Sequence, residues 1–363
     1  NVLNIGSQLT DLVVTNDSNT LIVADKGNNQ VRFIDVSIDK MSIISNVWVG
    51  SEPTSLELTT NGQYLLVGLQ GASSVAVVSV LDMELLGSIQ LDYDGIYDIE
   101  YINSTDQLIV SFVSMQPSDN QTRLYNLDGW TSYVATQSGD TSYVASPLGD
   151  IATIVKHVVS AAGHIAISDD DEFVYIVDRY WAINSLYKYE ISGGWGAEAL
   201  EDYSSYIGNI SSFHDIEYVP NFGVVVAIGG QDSFGEDSID HSSVFDSNDM
   251  SLIANFGVGS TPLALAYDSI GEHIYISPTD VDDNGMFVIE YNIHTQLQTN
   301  YYQVAGRLGS HALVVDPKGE YIYAAVDDLS DQDTDEPYNN SSFNIQRIKI
   351  LPEGTYPAIN DFE

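Results

Sequence analysis

Three aspartates and a histidine open four similar apolar runs in this chain: Asp11 in "TDLVV", Asp98 in "YDIEY", His164 in "GHIAIS" and Asp215 in "HDIEY". Hard cations such as Ca2+ take carboxylate oxygens, and an imidazole moves such a donor set toward a transition metal. Two loops add further carboxylates. "SPTDVDDNGMF" carries Asp280 and Asp282, then Asp283 and Asn284, but lacks the downstream Glu of an EF-hand. "VDDLSDQDTDEPYNN" sets Asp331, Asp333 and Asp335 at every second position. Both are oxygen-rich enough for weak Ca2+ binding, and both equally suit a solvated acidic face. The strand-entry residues also have a structural alternative, because polar groups at such places bond to neighbouring loop backbone and hold segments in register.

A shared site requires distant segments to converge, and a repeat provides for that. "TSLELTTNGQYLLVGL", "LALAYDSIGEHIYIS" and "HALVVDPKGEYIYAAV" share one pattern, with degenerate versions in "TDLVVTNDSNTLIVAD", "YDIEYINSTDQLIVSF", "HIAISDDDEFVYIVD" and "HDIEYVPNFGVVVAIG". Each copy reads as two short apolar strands joined by a tight polar turn. A third strand follows, as in "NQVRFIDV", and a fourth ends near Gly-Ser, as in "MSIISNVWVGS". Four antiparallel strands per repeat of about 45 residues describe a propeller blade. Seven copies predict an all-β, seven-bladed β-propeller spanning residues 1–351, with 352–363 a tail or linker.

Aligning the copies places Asp11, Ser55, Asp98, His164, Asp215, Ala264 and Ala312 at one position near the mouth of the central channel, with His214 and His311 one residue earlier. The segment from about 140 to 163 reads as an insertion between blades three and four. Asn1–Ile5 overlays on the end of a fourth strand. The last blade shows no clear fourth strand of its own, so the N-terminal strand is expected to complete it and close the ring.

The units resemble YVTN-type and NHL-like bacterial and archaeal surface β-propellers; "ADKGNNQVRFIDV" in particular resembles their repeat signature. The resemblance covers the whole chain and implies architecture. The families it points to include surface-layer proteins, adhesion modules, lactonase-like enzymes and quinoprotein relatives, so it implies no single activity.

Composition narrows the field. Lys and Arg total 11 against 52 Asp and Glu, a formal net charge of −41. Such a field repels phosphate backbones and anionic membranes, so nucleic acid and membrane surfaces are disfavoured partners, and no stretch is apolar enough for a membrane span. The absence of Cys removes thiolate metal sites, Cys nucleophiles and disulfides. No nucleophile elbow, H-E-x-x-H pair, P-loop or dinucleotide fingerprint is present, and no organic cofactor is implied.

Six N-x-Ser/Thr triplets begin at Asn16, Asn103, Asn120, Asn209, Asn339 and Asn340. All fall in expected loops, where glycans are tolerated. Trp130, Trp181 and Trp195, with Tyr180 and Tyr187, offer faces for sugar stacking or for blade packing. The reading is a secreted or cell-surface binding and assembly module, mature after signal-peptide removal and glycosylated. It would be a subunit of a surface layer or filament whose partners are proteins, further copies or glycans, with Ca2+ as a structural aid. The alternative is a channel-centred, metal-dependent hydrolase of the lactonase type, with the Asp/His ring as its centre.

Overall fold

Short apolar runs separated by polar turns become 29 strands among the described residues of the computed structural model. These are residues 1–113, 122–127, 130, 142–144, 146–150, 163–177, 185–191, 200–205, 212–229, 241–257, 262–278, 286–327 and 343–352. The strands form seven sheets, the blades of an all-β propeller. Strand β1 (Val2–Asn4) opens the chain. Blade one is β2 (Leu9–Val14), β3 (Thr20–Asp25), β4 (Gln30–Asp35) and β5 (Ser42–Trp48). Blade two is β6 (Pro53–Leu58), β7 (Tyr64–Leu69), β8 (Ser74–Ser79) and β9 (Glu84–Gln90).

Blade three begins with β10 (Ile96–Ile102), β11 (Gln107–Phe112) and β12 (Thr122–Asn126). The segment expected to be an insertion contributes two strands, β13 (Ser142–Val144) and β14 (Ser146–Asp150). β14 pairs antiparallel with β12, so these residues are the blade's own fourth strand. Pro147 and Gly149 disguise it in the sequence, and both are tolerated because the strand lies at a sheet edge. β13 pairs in parallel with β9 and gives blade two a fifth strand.

Blade four is β15 (Ile165–Ile167), β16 (Phe173–Val177), β17 (Ser185–Glu190) and β18 (Leu200–Ser205). Blade five is β19 (Ser212–Val219), β20 (Gly223–Gly229), β21 (His241–Phe245) and β22 (Leu252–Gly257). Blade six is β23 (Pro262–Asp268), β24 (His273–Pro278), β25 (Met286–Asn292) and β26 (Gln298–Val304). Blade seven is β27 (Arg307–Val315), β28 (Tyr321–Asp327) and β29 (Phe343–Lys349), and β1 lies against β29 as its fourth strand. The register pairs Val2 with Gln346, Leu3 with Ile345 and Asn4 with Asn344.

The turns between first and second strands repeat one device. A hydroxyl or carboxylate at the end of the first strand accepts the N–H that starts the second: Thr15 from Thr20, Thr59 from Tyr64, Ser168 from Phe173 and Asp316 from Tyr321. Each turn also needs a left-handed residue, which Gly62 and Gly319 provide at φ 66° and 64°. Neighbouring blades bury their apolar faces against each other. Ile22, Ala24 and Phe33 of blade one pack with Leu56, Leu65 and Val67 of blade two.

Blades six, seven and one share a single core that includes Tyr275, Leu313, Tyr323, Leu12 and Leu21. Arg347 of β29 reinforces that junction. It donates to the carbonyls of Val36 (2.9 Å), Ile38 (2.8 Å) and Asp39 (2.7 Å) of blade one. The polar residues of "ADKGNNQVRFIDV" are also absorbed structurally. Asp25, fully buried, accepts from Ser7, Asn28, Gln30 and Arg32, which ties the strand linker to blade one.

Candidate functional site

Six of the aligned residues lie on the first strands of their blades and His164 directly precedes β15, and all seven are buried: Asp11, Ser55, Asp98, His164, Asp215, Ala264 and Ala312. A bulge precedes the aligned residue on β2, β6, β10, β19 and β23. Bulges re-aim side chains, and here they turn the strand entry inward.

The three aspartates share one geometry. Each accepts the N–H of its own successor and the N–H at the corresponding place in the next blade. Asp11 takes Leu12 and Leu56, both at 2.6 Å. Asp98 takes Ile99 and Ile165, both at 2.9 Å. Asp215 takes Ile216 at 2.9 Å and Leu265 at 2.8 Å. The carboxylates of blades one, three and five therefore staple blades two, four and six. Ser55 adds a link by donating to Asp98 at 2.8 Å. The structural reading of these residues is thus realised, and each carboxylate keeps lone pairs beyond those bonds.

Blade seven departs from the pattern. β27 makes a longer excursion between Leu308, opposite Val326, and Leu313, opposite Ala324. Within it His311 adopts a left-handed backbone, φ 54°, which is uncommon for a residue with a Cβ and concentrates at functional places. The excursion delivers the imidazole into the ring of acids: Nε2 lies 3.0 Å from Asp215 Oδ1, and Nδ1 lies 4.0 Å from Asp11 Oδ1. The His164 ring lies against it, centroids 3.8 Å apart.

His164 is held from blade three. Ser111 donates to the carbonyl of Gly163 at 2.9 Å, and the Tyr97 hydroxyl meets His164 Nε2 at 2.9 Å. That leaves Nδ1 facing Asp98 Oδ2 at 3.5 Å, buried and without a hydrogen-bond partner among the described residues. Ligand atoms of Asp98, His164 and His311 all lie within 4.8 Å of one another.

Electrostatics separates the two histidines. Burial alone would strip the proton from His311, but Asp215, Asp98 and Asp11 hold its pKa well above the usual imidazole range. Burial and then the charge on His311 push His164 down to about 4. Burial would raise Asp98, yet His311 and His164 hold it at about 2. Asp11 is pushed up to about 7 by burial, against the pull of His311.

Three further acids join the site. Glu57, Glu100 and Glu217 stand two residues beyond Ser55, Asp98 and Asp215, on the same strand faces. Burial, then the neighbouring acids, raise all three, Glu217 to about 8. They are legible in hindsight in "LEL" and in the two "DIEY" runs, where period-2 alternation puts Glu beside the ring position.

Asp280, Asp282, Asp331 and Asp333 lie outside the described residues, as do Asn120, Asn209, Asn339 and Asn340. Asn16 and Asn103 are exposed in first-to-second strand turns, where both bond to Thr60 of blade two. Trp130 is fully buried, edge-on to Tyr64 and Tyr101, and so packs a blade rather than offering a face to a sugar.

The family described as "Lactonase, 7-bladed beta-propeller" matches residues 4–90, which run from the end of β1 through blade two. No curated protein sequence matches the chain. Among solved structures, Kuenenia stuttgartiensis hydrazine synthase is similar at a TM-score of 0.71 with 14% identity, covering 96% of this chain and 97% of that one. The Myceliophteria thermophila Cps50 (Swd1) β-propeller domain is similar at 0.64 with 12% identity, covering 95% and 97%. At these identities the likeness is one of fold.

Proposed function

We propose that the protein works through its channel mouth as a metal-dependent hydrolase of lactones or related esters. One observation carries the reading: the compact donor set of buried Asp98 and His164 and half-buried His311. Two imidazoles and a carboxylate suit Zn2+ or another first-row divalent ion better than Ca2+. The orphaned Nδ1 of His164 supports the fit, since a buried polar atom without a partner is costly. Asp98 would contribute the lone pairs left over from its staple bonds, and Asp215 would orient His311, as carboxylates commonly do for ligating imidazoles.

When bound, such an ion supplies Lewis acidity toward a carbonyl. The chain supplies the rest. Tyr97 fixes the His164 ring, and Glu217, with its raised pKa, carries a transferable proton at neutral pH. The family match over blades one and two favours the lactone class. The test is metal analysis after exhaustive dialysis, paired with lactone hydrolysis with and without added Zn2+. A tightly held divalent ion and metal-dependent turnover, both lost in His164→Ala, are expected. A protein that holds no ion and turns over no lactone would remove the proposal.

A second reading is a secreted or cell-surface binding module. The net charge of −41 and the exposed sequons at Asn16 and Asn103 favour it. Its check is intact mass before and after deglycosylation of protein from its native source. A mass that does not change would count against it.

A further inference from the structure

Strand β5 is unusual for this chain. Its sequence, Ser-Ile-Ile-Ser-Asn-Val-Trp, carries no charge although the chain carries 52 acids. It is the last strand of the blade-one sheet, and its outer side pairs with no strand among the described residues. Ile44 is 46% exposed and Trp48 66% exposed. Ile44, Asn46 and Trp48 are all exposed and span about 13 Å, with a bulge at Ile44, where the register passes from Ser45 to Ile43. Natural sheets guard such edges with charges, prolines, bulges or covering segments; β5 has one bulge, carries no charge or proline, and has no covering strand among the described residues.

The neighbouring blade shows what such an edge accepts. Ser142–Val144 add to the outer edge of β9 as a fifth, parallel strand, with Ser142 opposite Ser88 and Val144 opposite Gln90. We propose that the β5 edge is a docking site for an extended segment of a basic partner protein, which adds to blade one as a fifth strand. Main-chain hydrogen bonds would give affinity, and Ile44 and Trp48 would be the apolar anchors. Charge selects the partner. Lys or Arg beside apolar residues gains from the field of the whole chain, whereas a second copy brings its own −41.

Hydrogen–deuterium exchange on the full chain tests this, with a short synthetic peptide alternating Val with Lys and a twin alternating Val with Glu. The Val/Lys peptide is expected to slow exchange within Ser42–Trp48. The double variant Ile44→Lys, Trp48→Lys should bind it at least ~10-fold more weakly. Both positions are exposed, and circular dichroism confirms the variant's fold; the location of protection in the unaltered chain stands independently of it. Three results would overturn the proposal: unchanged exchange in β5, protection confined to other segments, or equal protection by the Glu twin. Protection of β5 that grows with protein concentration in the absence of peptide would make the occupant a second copy, and overturn it as well.

Discussion

Replacing Asp98 with Asn asks whether the ring acids hold blades together as charged groups. Asp98 accepts the N–H groups of Ile99 and Ile165, both at 2.9 Å, and the Ser55 hydroxyl at 2.8 Å. An amide keeps one acceptor oxygen and turns an NH2 toward a donor on the other side. One buried donor is then unpaired, which costs about 1–3 kcal/mol. The charge gives a second measure. A folded pKa of about 2 against the ordinary 3.8 corresponds to about 2.5 kcal/mol.

The two figures overlap, because the hydrogen bonds are part of what lowers the pKa, so the loss near neutral pH should be about 2–4 kcal/mol. Its pH dependence has a definite sign. A depressed folded pKa stabilises fully above the unfolded pKa, and that stability is lost as pH falls through the folded one. About half of the charge contribution should remain near pH 3. Urea unfolding followed by circular dichroism, near pH 7 and near pH 3, reads both quantities. An Asp98→Asn protein as stable as its parent near neutral pH would refute the staple argument. So would a loss of the same size at both pH values.

Four further outcomes follow from the same geometry. Removing Asn1–Ile5 takes away the strand paired with β29 and the Ile5 N–H bond to Phe343 O, so the thermal midpoint should fall by several degrees; an unchanged midpoint would deny β1 its role. Arg347→Met keeps an aliphatic side chain but removes the guanidinium over Tyr321 and its three bonds to blade-one carbonyls, an expected loss of about 2–4 kcal/mol in urea unfolding. Gly223→Ala would set a Cβ 2.2 Å from the carbonyl oxygen of Phe245 at φ 152°, and should cost more than about 2 kcal/mol by the same assay. Tyr97→Phe frees the His164 ring, and calorimetric Zn2+ titration should show affinity reduced by about 10-fold or more.

The blades were legible because each copy repeats the same sequence of strand, hydroxyl-bearing turn and strand, so the ring residues could be aligned by position alone. Asp11, Asp215 and His164 all lie against His311, and Asp98 lies against His164. Three features were hidden for different physical reasons. β14 was obscured by Pro147 and Gly149, whose low strand propensity is overridden by pairing with β12. His311 aligned one residue outside the ring, and only its left-handed backbone within the β27 excursion brings it to Asp215. The glutamates look like ordinary alternating polar residues until neighbouring blades close around them. Their raised pKa values come from that enclosure, which is a property of the assembled ring.

The metal-centre proposal is tested most directly by an anomalous difference map from crystals grown with Zn2+. A strong peak bounded by Asp98, His164 and His311 is expected. A map with no peak there, or with Zn2+ only on exposed acidic side chains, would contradict it.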